Sequence, residues 1–118
     1  MYFELIPLKD FYSHFGDGYS ITLPSSKAKC DELAQLLTAH GAQWKYYATL
    51  DDDAHEWIAG MHITFPGMSY KDVEPIMRQA CVISSAGEFC NFDGASASVV
   101  DADGDIVAWQ DFSAAYDD

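Results

Sequence analysis

Three carboxylates alternate along residues 99–109 on either side of a glycine, Gly104, and they are the residue types of a calcium-binding loop. The three are Asp101, Asp103 and Asp105. An EF-hand loop also requires glycine at its sixth position and a bidentate glutamate at its twelfth. Counted from the first aspartate, those positions hold Ile106 and Phe112. The calcium motif fails at both, and the glycine instead predicts a tight hairpin turn between two alternating strands, with no metal.

The sequence also contains no motif typical of a catalytic nucleophile or of a zinc site. No serine or cysteine stands in the surroundings of a nucleophile, and Ser69 fits a turn before a helix. The four histidines do not form the short paired spacings of a zinc site. His62 alternates with Met61 and Ile63, which predicts a solvated or sheet-surface histidine rather than a metal ligand. We therefore expect no catalytic residue, no metal and no cofactor.

The net charge is the outstanding property of the composition. The chain contains nineteen acidic and six basic residues, so its net charge is −13 at neutral pH. Residues 79–118 contain no lysine or arginine. A field of this sign repels nucleic acid and anionic membranes and attracts basic protein surfaces. We expect no direct binding of nucleic acid and no membrane association, whereas a basic protein partner fits.

The length and the hydrophobic content favour a single domain over residues 1–118. Hydrophobic residues make up 49% of the chain. This share is enough for one core despite the charge. Cys30 and Cys81 fall on apolar helical stripes, where reduced core thiols are expected. The N-terminal residues lack the basic segment and the long apolar run of a signal peptide. These features favour a soluble protein of the cytoplasm, which would be the host cytoplasm if the gene belongs to a phage.

Hydrophobic periodicity predicts a series of short elements. A strand over residues 2–8 precedes an aromatic hairpin over 11–23, and a helix follows at about 26–40 with Ser25 or Ser26 as its N-cap. Strands at 43–50 and 56–65 form a hairpin with an acidic tip. A second helix begins at Asp72 as N-cap, with Pro75 in its first turn. A loop through residues 91–94 then leads to the final hairpin around Gly104.

This order predicts an α+β domain with a mostly antiparallel sheet. Each helix has one apolar stripe, so both helices are expected on one face of the sheet. From residue 18 onward the order is compatible with a ferredoxin-like β-α-β-β-α-β unit, preceded by an extra N-terminal strand or hairpin.

The two acidic hairpins are the candidate site. Carboxylates held on strands and hairpin tips can imitate the row of phosphates on nucleic acid, and a nearby aromatic residue, Tyr47, could supply a desolvated anchor. The predicted partner-binding residues are Asp51, Asp52, Asp53, Glu56, Tyr47, Asp101, Asp103 and Asp105.

These features favour a non-enzymatic acidic inhibitor that occupies a basic, nucleic-acid-binding surface of a partner protein or complex. In compact size, acidity and missing catalytic motifs, the chain resembles small anti-defence inhibitors of phages and plasmids, including anti-CRISPR and DNA-mimic proteins. Bacterial immunity proteins share this general character, and an immunity protein or antitoxin against a basic nuclease is the alternative. A third interpretation, of a different class, is a small enzyme or ligand-binding domain with a pocket that one sequence does not reveal.

Overall fold

The computed structural model describes residues 2–7, 10–51, 56–94 and 96–111. Within them, seven strands and three helices follow one another along the chain. The strands are β1 Phe3–Leu5, β2 Gly18–Thr22, β3 Gln43–Asp51, β4 Glu56–Thr64, β5 Glu88–Asp93, β6 Ser96–Asp101 and β7 Ile106–Asp111. The helices are α1 Phe11–Phe15, α2 Lys27–Ala39 and α3 Tyr70–Ser84.

All seven of these strands belong to one sheet, in the order β1-β3-β4-β2-β5-β6-β7. The short β1 is parallel to its neighbour, β3, and the other pairs of described strands are antiparallel. Strand β4 lies between β2 and β3, which is the split arrangement of a β-α-β-β-α-β unit formed by β2, α2, β3, β4, α3 and β5. The α+β class and the mostly antiparallel sheet are therefore confirmed.

Helices α2 and α3 pack on one face of this sheet, as their apolar stripes predict. Ser26 caps α2 by accepting a hydrogen bond from the Lys29 amide, which satisfies one free donor of the first turn. Buried residues from both helices meet the inward side of the central strands. The fully covered residues of this core include Leu33, Leu37, Val73, Met77, Met61, Ile63 and Phe89. Cys30 and Cys81 are free thiols within it, as expected.

The opposite face of the sheet is covered by α1, where the sequence predicts a strand of a hairpin. Phe11 and Phe15 are spaced four residues apart, so one helical turn places both rings on the same side, with their centroids 5.0 Å apart. Phe11 packs edge-on against Tyr47, and Phe15 stacks on His62 at 4.6 Å. The two predicted helices do share one face, and α1 is a third helix, not predicted from the sequence, that buries the second face of the central strands.

Two further boundaries differ from those predicted. Residues 91–93, predicted as loop, continue β5, because Phe89 and Phe92 supply apolar side chains to opposite faces and both faces are covered here. Helix α3 begins at Tyr70 with Ser69 as its N-cap, and Asp72 lies inside the first turn, where its carboxylate accepts a hydrogen bond from the Ser69 hydroxyl. None of the helices in the described part of the chain has the length and apolar character needed to cross a membrane.

Candidate functional site

The loop around Gly104 is a tight turn held by its own first aspartate. The Asp101 carboxylate accepts hydrogen bonds from the amides of Asp103 at 2.9 Å and Asp105 at 3.0 Å. The amides of Gly104 and Asp101 donate to the carbonyls of Asp101 and Asp105, respectively, and Gly104 has a φ of 89°. The turn prediction is confirmed, and Asp101 acts within the turn while Asp103 and Asp105 lie exposed.

Helix α3 fixes this turn in place. The Arg78 guanidinium donates from Nε to the Ala102 carbonyl at 3.0 Å. A β-carbon built at Gly104 would lie 2.6 Å from the Glu74 carboxylate, so the helix touches the turn directly. The exposed carboxylates are consequently presented on a fixed support, and fixing them in one position costs little further conformational entropy.

Both acidic hairpins lie at the same end of the sheet. Asp51 pairs with Glu56 at the end of β3 and β4, and Glu88 pairs with Asp101 at the same end of β5 and β6. Strands β4 and β6 are three positions apart in the sheet. At the usual spacing of neighbouring strands, this separation is roughly 14 Å. The β3–β4 hairpin extends further beyond the sheet. Asp52 and Asp53, at its predicted tip, lie outside the described residues.

The lysines near this end already have acidic partners. Helix α2 starts here, and Lys27 contacts Asp31 at 2.9 Å while Lys29 contacts Glu32 at 3.3 Å. These exposed pairs contribute little to stability, but they add no net positive charge to the end of the sheet. Among the described residues, the Arg78 guanidinium at the β6–β7 turn offsets part of the negative field of the hairpins, and these lysines do not offset it further.

Tyr47, predicted as an aromatic anchor for a partner, is buried within the protein. Its side chain is 8% exposed, its ring lies over Gly60 on the neighbouring strand, and its hydroxyl is hydrogen-bonded to the Ser20 hydroxyl. Burial raises the pKa of Tyr47 to about 12. The interpretation of Tyr47 as a surface contact therefore does not fit, because β3 directs this side chain towards α1.

Three of the large apolar side chains that are exposed lie close together in sequence on β7, for which the sequence predicts only the second strand of a hairpin. Ile106, Val107 and Trp109 are 65%, 55% and 65% exposed. Val107 is the extra residue of a bulge, since Val99 and Val100 pair with Ala108 and Ile106. The signal in the sequence is the run "IVAW" after an acidic turn, with too few alternating polar residues for a half-buried strand.

His62, predicted as a solvated or sheet-surface histidine, does lie on the face of the sheet away from α2 and α3, but it is buried there. It is 5% exposed, and neither ring nitrogen has a hydrogen-bond partner among the described residues. Burial lowers the pKa of His62 to about 4, and the nearby Asp17 backbone acts on this pKa in the opposite direction. In the same lateral row, Ser20 pairs with His62 on one side and Cys90 on the other.

The row formed by His62, Ser20 and Cys90 has the residue types of an acid–base site, but its histidine and cysteine are not in reactive protonation states. The imidazole is neutral and covered by Phe15, and burial raises the pKa of the Cys90 thiol, so that no thiolate is available at neutral pH. Elsewhere in the described ranges no group of three or more histidine, cysteine, aspartate or glutamate side chains converges as a metal site. Comparison with protein-family models, curated protein sequences and solved structures finds no match to this chain.

Proposed function

We propose that this protein is a non-enzymatic acidic inhibitor that binds a basic surface of a nucleic-acid-binding protein through its β6–β7 hairpin. The observation that carries the proposal is the position of β7. Its exposed apolar side chains, Ile106, Val107 and Trp109, directly follow the exposed carboxylates of Asp103 and Asp105. Protein interfaces commonly combine an apolar centre containing tryptophan with a polar or charged rim.

The charge supplies attraction and the apolar strand supplies affinity. Carboxylates on a surface steer a basic partner and increase the association rate, but exposed ion pairs alone contribute little binding free energy. Trp109 is 65% exposed in the free protein. An indole in such a position can bury much of its surface on binding. The hairpin therefore provides both requirements within one short segment.

Strand β7 also ends the sheet, so its outer backbone groups have no strand partner among the described residues. Edge strands of this kind attract unwanted pairing unless charge protects them. The exposed Asp105 directly precedes β7, where its charge disfavours pairing with a second acidic copy of the chain and favours a partner with basic residues. Preference for a basic partner is what an anti-defence inhibitor, such as an anti-CRISPR or DNA-mimic protein, needs, because its target is a basic nucleic-acid-binding surface.

The proposal is tested by affinity capture followed by competition with duplex DNA. The parent protein should retain a nucleic-acid-binding protein that duplex DNA displaces, and the double variant Asp103→Asn/Trp109→Ala should fail to retain it. The matched control is Asp10→Asn/Tyr2→Ala, which removes one exposed acid and one exposed aromatic residue near the opposite edge of the sheet. A captured protein that survives DNA competition, or that both variants lose equally, would contradict the proposal.

A further inference from the structure

A cavity of about 300 Å³ opens at the end of the sheet opposite the acidic hairpins. It lies where β2 begins, β4 and β5 end and the first turn of α3 starts. Aromatic rings and two carboxylates form much of its lining. The residues that bear on its chemistry are Tyr19, Phe65, Tyr70, Asn91, Asp17 and Asp93.

The aromatic walls of the cavity are held by contacts with one another. Tyr19 and Tyr70 stack nearly parallel, with ring centroids 6.4 Å apart and planes 18° apart. Phe65 meets the Tyr19 ring edge-on at 5.9 Å. These rings therefore keep fixed positions, and a planar group that enters the cavity can stack on a tyrosine face without first ordering it.

The carboxylates give the cavity a negative potential. Asp17 accepts hydrogen bonds through Oδ1 from the Tyr12 hydroxyl at 2.5 Å and from the Gly94 amide at 3.1 Å, so its position is fixed. The Asp93 side chain is exposed. Among the described residues neither carboxylate forms a salt bridge, and the lining contains no lysine, arginine or histidine.

The two tyrosines stay neutral, because burial raises the pKa of each. For Tyr19, the neighbouring Tyr70 and Asp93 raise the pKa further. A neutral phenol keeps its proton as a hydrogen-bond donor and keeps a π face that attracts cations. The cavity thus combines a cation-attracting wall with carboxylates and excludes anionic ligands.

We propose that this cavity binds the guanidinium group of an arginine side chain from a partner protein. A guanidinium is planar, stacks on aromatic faces and presents its donors in a fork that suits carboxylates. A lysine ammonium is compact and strongly hydrated, and it uses a flat stacking wall less well. The site is separate from the hairpin interface and does not depend on it.

The position of the cavity allows one partner to reach both surfaces. Tyr19, Asn91, Ser98 and Trp109 pair in one lateral row across β2, β5, β6 and β7, and they share the face of the sheet that α2 and α3 cover at its centre. Asn91 and Trp109 are two strands apart, which is roughly 10 Å. A partner segment that crosses the exposed face at Trp109 would therefore lie within roughly 10 Å of Asn91, so one partner can contact both surfaces.

The test is a titration of the full chain with N-acetyl-arginine amide, followed by two-dimensional amide NMR. Saturable shifts should concentrate at Tyr19, Tyr70 and Asn91, with a Kd on the order of 1 mM for so small a ligand. N-acetyl-citrulline amide has the same shape without the charge and should produce no saturable shift. N-acetyl-lysine amide should bind at least severalfold more weakly, and equal binding would overturn the assignment to guanidinium.

Two variants of equal charge separate the cavity from the general negative field. Asp93→Asn should weaken arginine-amide binding about fivefold, whereas Asp10→Asn, which removes an exposed acid near the opposite edge of the sheet, should leave it unchanged. Equal weakening in both variants, or no saturable shift in the parent, would overturn the proposal. The citrulline comparison uses the parent protein and so decides the question even if a variant folds poorly. Failure of this titration would leave the capture by the β6–β7 hairpin unaffected.

Discussion

The imidazole of His62 lies against the backbone of Gly18, and a β-carbon at that glycine would stand 2.9 Å from Nε2. The ring thus occupies the space that a side chain on β2 would need. Glycine is tolerated in a strand when an aromatic ring covers it. Phe11 and Phe15 of α1 close over the same ring, which explains why both nitrogens are removed from water.

We predict that His62 makes the protein less stable as the pH falls from 6.5 towards 4. In the unfolded chain the imidazole takes a proton near its ordinary pKa of 6.5, whereas in the folded protein its pKa is about 4. Protonation in this interval therefore favours the unfolded chain, and the loss reaches about 3 kcal/mol below pH 4. Urea unfolding of the parent and of His62→Phe across this range would measure it.

The phenylalanine variant is the control for the many carboxylates that titrate near the same pH. It retains a ring over Gly18 and cannot take a proton. The free energy of unfolding of the variant should decline less steeply between pH 6.5 and 4 than that of the parent. Parallel declines in the two proteins would show that His62 does not titrate in this interval.

The sequence predicts the elements that obey a simple period and misses those decided by the second face of the sheet. The apolar stripes of α2 and α3 and the alternation in β3 and β4 specify the split β-α-β-β-α-β unit. Residues 11–15 and 91–93 are misassigned because their aromatic side chains pack against each other across α1 and β5, as Phe11 does with Phe92 at 5.0 Å. Such contacts join distant parts of the chain and leave no local period.

The same distinction between local patterns and long-range contacts explains why only part of the candidate site could be predicted. The acidic hairpin turn follows from local chemistry at Gly104, where a positive φ is required. Burial of Tyr47 depends on α1, and the exposure of Trp109 depends on β7 being the last strand of the sheet. The order of the strands in the sheet determines which aromatic residue is accessible, and the sequence near each residue does not reveal that order.

We predict that Asp101 stabilises the turn and that the exposed Asp103 does not. Asp101→Ala removes the acceptor of two backbone amides. The substitution should cost about 1 kcal/mol or somewhat more, as the loss of a side-chain cap does. Asp101→Asn keeps an acceptor oxygen and should cost less. Chemical denaturation would measure both, with Asp103→Asn as the control of equal charge. A cost for Asp103→Asn equal to that for Asp101→Ala would contradict this account.

Calcium should leave the melting temperature nearly unchanged. The Asp101 oxygen that could bind a cation already accepts two amide hydrogens. A ligand at 100 times its Kd would add about 2.7 kcal/mol of stability, which thermal unfolding resolves easily. Scans with millimolar calcium and with chelator should therefore coincide. A rise of several degrees that Asp103→Asn abolishes would refute the interpretation as a turn.

We predict that Gly60→Ala is destabilising because the Tyr47 ring covers Gly60 from the opposite position of β3. The phenol cannot move away easily, since its hydroxyl bonds Ser20 and Phe11 packs against its ring. Overpacking of this kind costs about 1–3 kcal/mol. In a Tyr47→Ala background the same substitution should be nearly neutral, and a double-mutant cycle measures the difference. Additive effects would show that the two residues do not clash.

The two acidic hairpins should differ in how they support binding. Neutralising Asp51, Asp52 and Asp53 together to Asn should lower the association rate and the dependence of affinity on salt, because these charges act at long range. Neutralising Asp103 and Asp105 should do the same, whereas Trp109→Ala should mainly increase the dissociation rate, since the indole acts only once it is buried. Kinetics with the captured partner at several ionic strengths would separate the two effects. If both acidic variants bind like the parent at every salt concentration, the carboxylates only confer solubility and the inhibitor hypothesis fails.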